Sequence, residues 1–408
     1  MPVNLPIDII DLIVQYSTTS TCAHISAVSR NVYSISVRTL YASIPEMSIT
    51  RATRCLLTLS KNPELALRVR KFSFHLSSSS RALPAFFALL SLALSNMRNL
   101  NTLLLDMEAP IPTNLLEQIS SRLTKLVLAV PPRSSYPISQ FLSNQPAIEE
   151  LFLVCRSEDL STLGPEALPL LRELSAPLWI LVKILPSRLS HMSQLAVLGV
   201  MNDPDDLIIL GMILTLSDPP ESLALIIDAR ITMNRMPIAA ISRGLSFLGR
   251  AAPFVSFLLL KKYGDHIKKD ELQEIFVYAL PSFPKLKNLI LMSQSPAPTA
   301  YTSDPQAQPA QTPSSMHSLL RNALAYVYSI LVNIPSLLLS LFSSRYSAPQ
   351  VESNQTQSQP SPSLDALHDL SCHLQIVKAW GQIHPGLECV MFPVGTYRLR
   401  KSGDDYVA

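Results

Sequence analysis

Histidine and cysteine side chains cluster near the C-terminal end of the sequence, and these residue types could bind a metal ion. The cluster consists of His368, Cys372, His373, His384 and Cys389. A structural zinc site needs four ligands, which usually occur as closely spaced pairs of defined separation. No two members of the cluster have zinc-finger spacing. The sequence therefore predicts no metal site, and the histidines are expected to be surface or capping residues.

Two other patterns could carry chemistry. Residues 243–249 read RGLSFLG, which places a serine between glycines but lacks the glycine spacing of a nucleophile elbow. Asp203, Asp205 and Asp206 lie in a proline-containing turn, where solvated turn chemistry explains them. The chain has ten glycines but no Gly-x4-Gly-Lys-Ser/Thr phosphate loop. We therefore expect no enzymatic activity and no cofactor.

Composition restricts the class of protein to which these residues belong. The chain has 408 residues, of which 48% are hydrophobic and 15% charged. Such a chain can bury a large core and is not intrinsically disordered throughout. The formal net charge is only +3, and no basic run is interleaved with aromatic residues. The sequence therefore lacks the electrostatic footprint of a nucleic-acid-binding protein, and no nucleic-acid partner is predicted.

The cysteines and the first residues of the sequence indicate a compartment. The cysteines are Cys22, Cys55, Cys155, Cys372 and Cys389, an odd number without a Cys-x-x-Cys pair. This usage is typical of a reducing compartment. Asp8 and Asp11 stand where a secretory signal would have a basic start and an apolar run. We therefore expect the protein to be cytoplasmic or nuclear.

A repeated apolar spacing organises most of the chain. It is clearest in LNTLLLD, residues 100–106, where Leu100, Leu103 and Leu105 are the core positions. Strands of leucine-rich repeats have this spacing: core positions point inward, their neighbours point to solvent, and several copies must stack before any is buried. Further copies begin at Leu123, Ile148, Leu171, Leu195, Val255 and Leu286, and weaker ones at Val69, Ser222 and Leu387. The sequence therefore predicts ten strands.

The spacing between copies indicates an insertion. Successive copies are 23 to 33 residues apart as far as Leu286, but the next copy follows 101 residues later. Residues 294–363 differ in composition, and removing these 70 residues restores an interval of 31. The repeat should therefore resume after the insertion. Because the intervals vary, and the asparagine or cysteine that usually follows the strand is mostly absent, we predict an α/β fold in the form of an irregular leucine-rich-repeat solenoid, or horseshoe.

The insertion has three parts. Residues 294–315 and 347–363 are rich in Pro, Ser and Gln and are expected to be disordered tethers. Between them, residues 323–342 form an apolar run of twenty without charge. That length could cross a membrane, but Asn333 and Pro335 interrupt it. The alternatives are a membrane contact and, preferred here, a hinged pair of apolar helices that folds back on the solenoid or binds a partner.

Residues 5–44 break into three short helical pieces. Pro6 suits the start of the first piece, and Asp8 lies in its first turn. Its apolar stripe at helical spacing consists of Ile9, Ile10 and Ile13. About forty residues of this kind cannot bury enough surface to be stable alone. The segment therefore implies a partner or a docking surface.

The same segment resembles the F-box, the helical module by which substrate receptors of SCF-type ubiquitin ligases dock on the adaptor Skp1. The matching features are Leu5-Pro6, the isoleucines at 9, 10 and 13, the Val28-Ser29-Arg30 step and the Leu40-Tyr41 exit. Residues 54–75 are similar to the lead-in of many fungal F-box and leucine-rich-repeat proteins, and residues 380–393 (WGQIHPGLECVMFP) resemble their closing repeat. The resemblance covers the N-terminal 75 residues and, beyond them, only the repeat architecture.

The resemblance implies a substrate-recognition adaptor of an SCF-type E3 ubiquitin ligase. Its partners would be a Skp1-like adaptor, a cullin ligase core and a protein substrate on the repeat surface. The adaptor-binding residues would be Leu5, Pro6, Ile9, Ile10, Ile13, Ile25, Val28, Arg30 and Leu40. The alternative is an interaction scaffold without a ligase, in which residues 5–44 only cap the first repeat. Exposure of Ile9 and Ile13 in the free chain would distinguish the ligase adaptor from the scaffold.

Four segments are therefore expected. They are an F-box-like helical module (1–45), the solenoid (46–293), the insertion with an apolar helical segment at 316–346 (294–363), and a final repeat with a C-terminal cap (364–408). Polar residues between the core positions should point outward and are candidates for a binding face, although no single one is assigned to the substrate. They include Asn101, Thr102, Lys125, Glu149, Glu150, Lys285 and Lys287.

Overall fold

A computed structural model describes most of the chain outside the insertion. The described residues are 6–77, 83–109, 111–112, 115–131, 135–216, 218–231, 237–264, 266–293, 365–402 and 405–407. The chain divides into two compact units, Met1–Met192 and Ser193–Ala408. Each unit combines helices with a mostly parallel sheet, so the predicted α/β class is confirmed.

The first unit contains strands β1 to β6 and helices α1 to α8. The strands are β1 (Ser43–Ile44), β2 (Lys71–Leu76), β3 (Thr102–Met107), β4 (Lys125–Ala129), β5 (Glu150–Val154) and β6 (Glu173–Pro177). The helices are α1 (Ile7–Gln15), α2 (Thr19–Ser26), α3 (Arg30–Ala42), α4 (Ile49–Lys61), α5 (Pro63–Ala66), α6 (Pro84–Asn96), α7 (Ser139–Ser143) and α8 (Leu178–Ile184). Each strand pairs in parallel with the next strand in sequence.

The core of the first unit lies on one face of its sheet. The residues at one level of the strand register are Phe72, Leu103, Leu126, Leu151 and Leu174, and all are buried. Helix α6 covers this face, because the ring of Phe86 packs against that of Phe74 with centroids 5.3 Å apart. Burying one such large apolar side chain contributes roughly 1.5–3 kcal/mol. The stacked copies therefore bury one another, as the repeat pattern predicts.

The second unit contains the remaining elements. Its strands are β7 (Gln194–Met201), β8 (Leu223–Ile231), β9 (Val255–Gly264), β10 (Asn288–Ser293), β11 (Cys389–Phe392), β12 (Gly395–Arg398), β13 (Arg400–Ser402) and β14 (Asp405–Val407). Its helices are α9 (Pro204–Thr215), α10 (Ile238–Ala251), α11 (Lys269–Ala279) and α12 (Leu370–Ile383). Strands β7 to β11 pair in parallel in sequence order, β12 runs antiparallel to β11, and β13 pairs with β14.

Helices cover one face of the second sheet as well. The ring of Trp380 in α12 lies 6.1 Å from that of Phe392 in β11 and 4.9 Å from that of Phe276 in α11. Successive strand residues alternate between faces, so the neighbours of these core positions lie on the opposite face. There Ala196, Ile226 and Leu259 form a second buried apolar cluster.

All ten predicted strands are present, but one copy is displaced in register. Leu195, taken as the first position of its copy, pairs with Leu225, which is the fourth position of the copy that begins at Ser222. The predicted copy therefore begins three residues too late in the sequence. The error arises because Met192, Leu195 and Val197 reproduce the same apolar spacing. Gly199, at φ +92°, lies in the bulge between Val197 and Val200 that follows this paired stretch.

The expectation that strand residues between core positions face solvent agrees with the polar residues predicted to do so, none of which is buried, but it is wrong for apolar residues of β4 and β5. In β4 and β5, Val127 and Phe152 are buried although they lie opposite the helix-covered face. These side chains are apolar and pair directly across the two strands, at one level with Ser175 of β6. Close lateral packing of this kind removes apolar surface from water. The face opposite the helices therefore has an apolar centre.

Parallel strand pairing continues after residues 294–363, as predicted. Strand β10 precedes residues 294–363 and pairs in parallel with β11, which follows them, with Asn288 opposite Cys389. The insertion, including residues 316–346 and 323–342, lies outside the described residues. Among the helices of the described part, none is long and apolar enough to cross a membrane.

Deleting residues 294–363 and joining the ends through a short linker should preserve the fold. Strands β10 and β11 pair directly, and the length of a surface loop between them should matter little, because each doubling of a loop costs only about 0.6 kcal/mol of closure entropy. Thermal unfolding followed by circular dichroism should show one cooperative transition for the second unit, as in the full chain. Loss of that transition would mean that the apolar segment is part of the core.

The sequence RGLSFLG lies inside α10. Its second glycine, Gly249, allows close packing of this helix, because it has no Cβ atom. A Cβ atom on Gly249 would lie 2.8 Å from the backbone C and O atoms of Ser282 and from Phe283 Cδ2. Ser246 Oγ donates a hydrogen bond to the carbonyl of Tyr278 (2.9 Å). The motif therefore joins α10 to the end of α11 and contains no exposed nucleophile turn.

Replacing Gly249 by alanine should destabilise the second unit. Overpacking costs about 1–3 kcal/mol, and the alanine regains only about 1 kcal/mol in helix propensity. The melting temperature should fall by about 2–4 °C for each net kcal/mol. Gly164→Ala is the matched control, because a Cβ atom there meets nothing within 4 Å. Equal melting temperatures for the two variants would contradict this role of Gly249.

Candidate partner-binding surface

Helix α1 begins where the sequence predicts. Pro6 is its N-cap residue, and Asp8 lies in its first turn. A proline suits this position because it has no N–H group to leave unsatisfied, and a carboxylate there complements the positive end of the helix dipole. The helix ends at Gln15, where Tyr16 is the C-cap residue.

The inward face of α1 rests on a small core. Val14 is fully buried, and the Cys22 thiol of α2 donates a hydrogen bond to its carbonyl (3.4 Å). Val37 of α3 is buried as well. The Asp11 carboxylate accepts a hydrogen bond from the Arg38 guanidinium (2.7 Å), which ties α1 to α3. These contacts fix which side of α1 faces inward.

The opposite side of α1 presents a stripe of large apolar residues to solvent. Ile9, Leu12, Ile13 and Tyr16 are 42%, 49%, 46% and 89% exposed. Their spacing of three, four and seven residues places them within one face of the helix. We call these four residues the α1 stripe. Soluble monomers rarely leave large contiguous apolar patches uncovered, so the α1 stripe is a candidate docking surface.

The connection between α2 and α3 adds an exposed apolar residue. Thr18 caps α2 by accepting a hydrogen bond from the Thr21 N–H (3.2 Å), and Ser29 caps α3 by accepting one from the Val32 N–H (3.3 Å). Between these helices Val28 is exposed. Side-chain caps stabilise a short helix by about 1 kcal/mol. The Ser29 cap, which directly follows Val28, therefore helps to fix the connection between the two helices.

The residues predicted to bind the adaptor fall into three groups. Pro6, Ile9, Ile13, Val28 and Arg30 are exposed, whereas Ile10, Ile25 and Leu40 are half-buried within the helices. Leu5 lies outside the described residues. Leu12 and Tyr16 were not among the predicted binding residues, although they lie three and seven residues after Ile9, a spacing that indicates the same helix face.

The end of α3 joins the helices to the first sheet. Strand β1 pairs in parallel with β2, with Ile44 opposite Phe72, and Ile44 is buried. The Arg70 N–H donates a hydrogen bond to the Ala42 carbonyl (2.9 Å). The helices therefore meet the strand ladder through this short strand, while the α1 stripe remains exposed.

The expectation that the C-terminal histidines are surface or capping residues is wrong for His373, which is buried inside α12, whereas His384 is the buried C-cap residue of that helix. The His373 ring stacks on Phe392 with centroids 3.9 Å apart, and its Nε2 lies 2.9 Å from the Ala366 carbonyl oxygen. Burial lowers the pKa of His373, which favours a neutral ring in the core. Within the described residues no three His, Cys, Asp or Glu side chains are grouped to hold a metal ion.

Asp203 has a capping role rather than one in an isolated turn. Its carboxylate accepts a hydrogen bond from the Asp205 N–H (3.0 Å) at the start of α9, and Pro204 occupies the first helical position. This is the usual chemistry of a helix N-terminus. A structural role therefore accounts for the Asp203 carboxylate.

Polar side chains lie near the two ends of the strands of the first sheet, on the face opposite the helices. Asn101 and Glu149 are exposed, and the Lys125 ammonium donates to the Glu150 carboxylate. Four residues further along the strands, His75 Nδ1 lies 2.9 Å from Asp106 Oδ2. Burial raises the pKa of Asp106, and the neighbouring His75 partly opposes this. This face combines an apolar centre with charged positions.

No protein-family model matches the sequence, and a search of curated proteins returns no significant match.

Proposed function

We propose that the chain is a substrate-recognition adaptor of an SCF-type ubiquitin ligase. The three N-terminal helices would dock on a Skp1-like adaptor and through it on a cullin ligase core, and the sheets would bind a protein substrate. The observation that carries the proposal is the exposure of the α1 stripe, which includes Ile9 and Ile13. The resemblance of this segment to the F-box supplies the partner.

The burial pattern of α1 favours docking over capping. A helix that only covered the first repeat would turn its most apolar side toward that repeat. Instead, α1 turns Val14 inward and leaves Ile9, Leu12 and Ile13 in solvent. Central apolar residues of an interface carry most of the binding free energy. The α1 stripe can supply such a centre.

The strand order supports a leucine-rich-repeat solenoid as the substrate-binding part. Within each unit the parallel strands follow sequence order, and in the second unit α9 packs on α10, α10 on α11 and α11 on α12. Stacked repeats contact mainly their neighbours, which produces this arrangement. We infer that the face opposite the helices holds the substrate, because apolar and charged groups both occur there.

A second candidate function is an interaction scaffold without a ligase. The pairing of β1 with β2 and the burial of Ile44 favour it, because these contacts extend the strand ladder as a cap would. The two functions differ in what the α1 stripe binds. A ligase adaptor needs it for docking, whereas a scaffold does not.

Co-purification with a Skp1-like adaptor tests the proposal. The full chain and the adaptor should elute together from a size-exclusion column as a complex of equal stoichiometry. The adaptor alone and the chain alone serve as references for elution volume. Separate elution of the two proteins at micromolar concentration would favour the scaffold.

A further inference from the structure

A pocket of about 460 Å³ lies in the first unit between the end of α3 and the chain that leads into β2. Its polar lining residues are Gln15, Arg38, Thr39, Arg68, Arg70 and Asn99. Three of these six carry guanidinium groups. Arg38 comes from the N-terminal helices, whereas Arg68 and Arg70 come from the segment before β2, so only the folded unit brings them to one pocket.

The wall that carries Arg68 and Arg70 is fixed by backbone contacts. The Arg70 N–H donates to the Ala42 carbonyl (2.9 Å), and Asn99 Nδ2 donates to the Leu67 carbonyl (2.7 Å). Val69, between the two arginines, is fully buried, whereas both arginines are exposed. A fixed backbone reduces the conformational entropy that a ligand would otherwise have to remove.

The charge of the pocket is not balanced by the described residues. Arg38 is paired with Asp11, which also accepts a hydrogen bond from Gln15 Nε2 (3.0 Å). In the described part of the chain, the guanidinium groups of Arg68 and Arg70 make no ion pair and no side-chain hydrogen bond. Two positive charges therefore face the pocket without a counter-ion.

We propose that this pocket binds a phosphate group, carried either by free phosphate or by a phosphorylated side chain. The planar fork of an arginine donates two N–H groups to two oxygens of one anion, and phosphate has enough oxygens for several forks. The pocket volume exceeds that of one phosphate group, so an ester also fits. The bound group would bridge α3 to the segment before β2. This inference does not rest on adaptor binding.

Isothermal titration calorimetry of the full chain tests the inference. Inorganic phosphate should bind the unmodified chain in sodium chloride of matched ionic strength. The double variant Arg68→Gln/Arg70→Gln should bind it about a hundredfold more weakly, since the loss of each charge-assisted hydrogen bond weakens binding about tenfold or more. Arg54→Gln, an exposed arginine of α4 outside the pocket, should bind phosphate as the unmodified chain does.

Two further measurements complete the test. Arg70→Lys keeps the charge but loses the fork, so its affinity should fall between those of the unmodified chain and the double variant. A phosphoserine peptide that binds more tightly than inorganic phosphate would identify a phosphorylated side chain as the ligand, and equal affinities would identify free phosphate. No heat of binding by the unmodified chain, or equal affinity of the chain and the folded double variant, overturns the inference.

Discussion

Replacing Ile9 and Ile13 together by aspartate is expected to abolish binding to a Skp1-like adaptor. Truncating a central interface residue commonly costs about 2 kcal/mol or more, and an unpaired charge buried in the complex costs more. Two such losses weaken the complex by about a thousandfold or more. Because both residues are exposed in the free chain, the fold should survive. A pull-down with purified adaptor measures the loss, and circular dichroism checks the fold.

The matched control is Leu57→Asp together with Leu92→Asp. These leucines lie on α4 and α6 and are exposed to a similar extent as the two isoleucines, but they are outside the α1 stripe. The control variant should retain the adaptor. If the Ile9/Ile13 variant retained as much adaptor as the control, the stripe would not be the docking surface.

Removing the carboxylate of Asp365 should have the largest effect on stability. Its Oδ2 lies 2.5 Å from Lys262 Nζ, with only 6% and 3% of the two side chains exposed. Breaking a buried ion pair typically costs about 3–5 kcal/mol, because the remaining charge stays buried without a partner. Asp365→Asn should therefore lower the denaturant midpoint of the second unit strongly while the slope of the transition stays unchanged.

An exposed ion pair of the same unit provides the control. Lys287 Nζ lies 3.1 Å from Glu388 Oε1, and both side chains are exposed. Glu388→Gln should cost less than about 1 kcal/mol, since water already solvates both charges. The apolar double variant Lys262→Met/Asp365→Leu should recover much of the lost stability. A loss for Asp365→Asn no larger than that for Glu388→Gln would contradict the role of the buried pair.

The strands could be predicted from the sequence because their apolar spacing repeats, but register and burial could not. The LAVLGV copy fits the spacing both at Leu195 and three residues earlier, and only pairing with β8 selects the register. The burial of Val127 and Phe152 depends on which residues lie beside them in neighbouring strands. A spacing rule contains no information about lateral neighbours.

The candidate binding surfaces, too, could be predicted from the sequence only in part. Helix α1 carries large apolar residues on every side, so the sequence could not say that Val14 would face inward and Leu12 outward. The arginine pocket combines Arg38 with Arg68 and Arg70, and no local motif predicts that juxtaposition. His373 fills the core beside Phe392, where tertiary packing overrides the usual preference of histidine for the surface.

The reversal of chain direction at β12 affects how the protein behaves at high concentration. A parallel edge strand with repeated apolar rows would be a template on which a second chain could add a strand, and so on into a fibre. Strand β12 is instead four residues long, antiparallel to β11, and presents Thr396 and Arg398 to solvent. Short strands with charged side chains are poor templates. The second unit therefore ends its ladder with an edge that resists polymerisation.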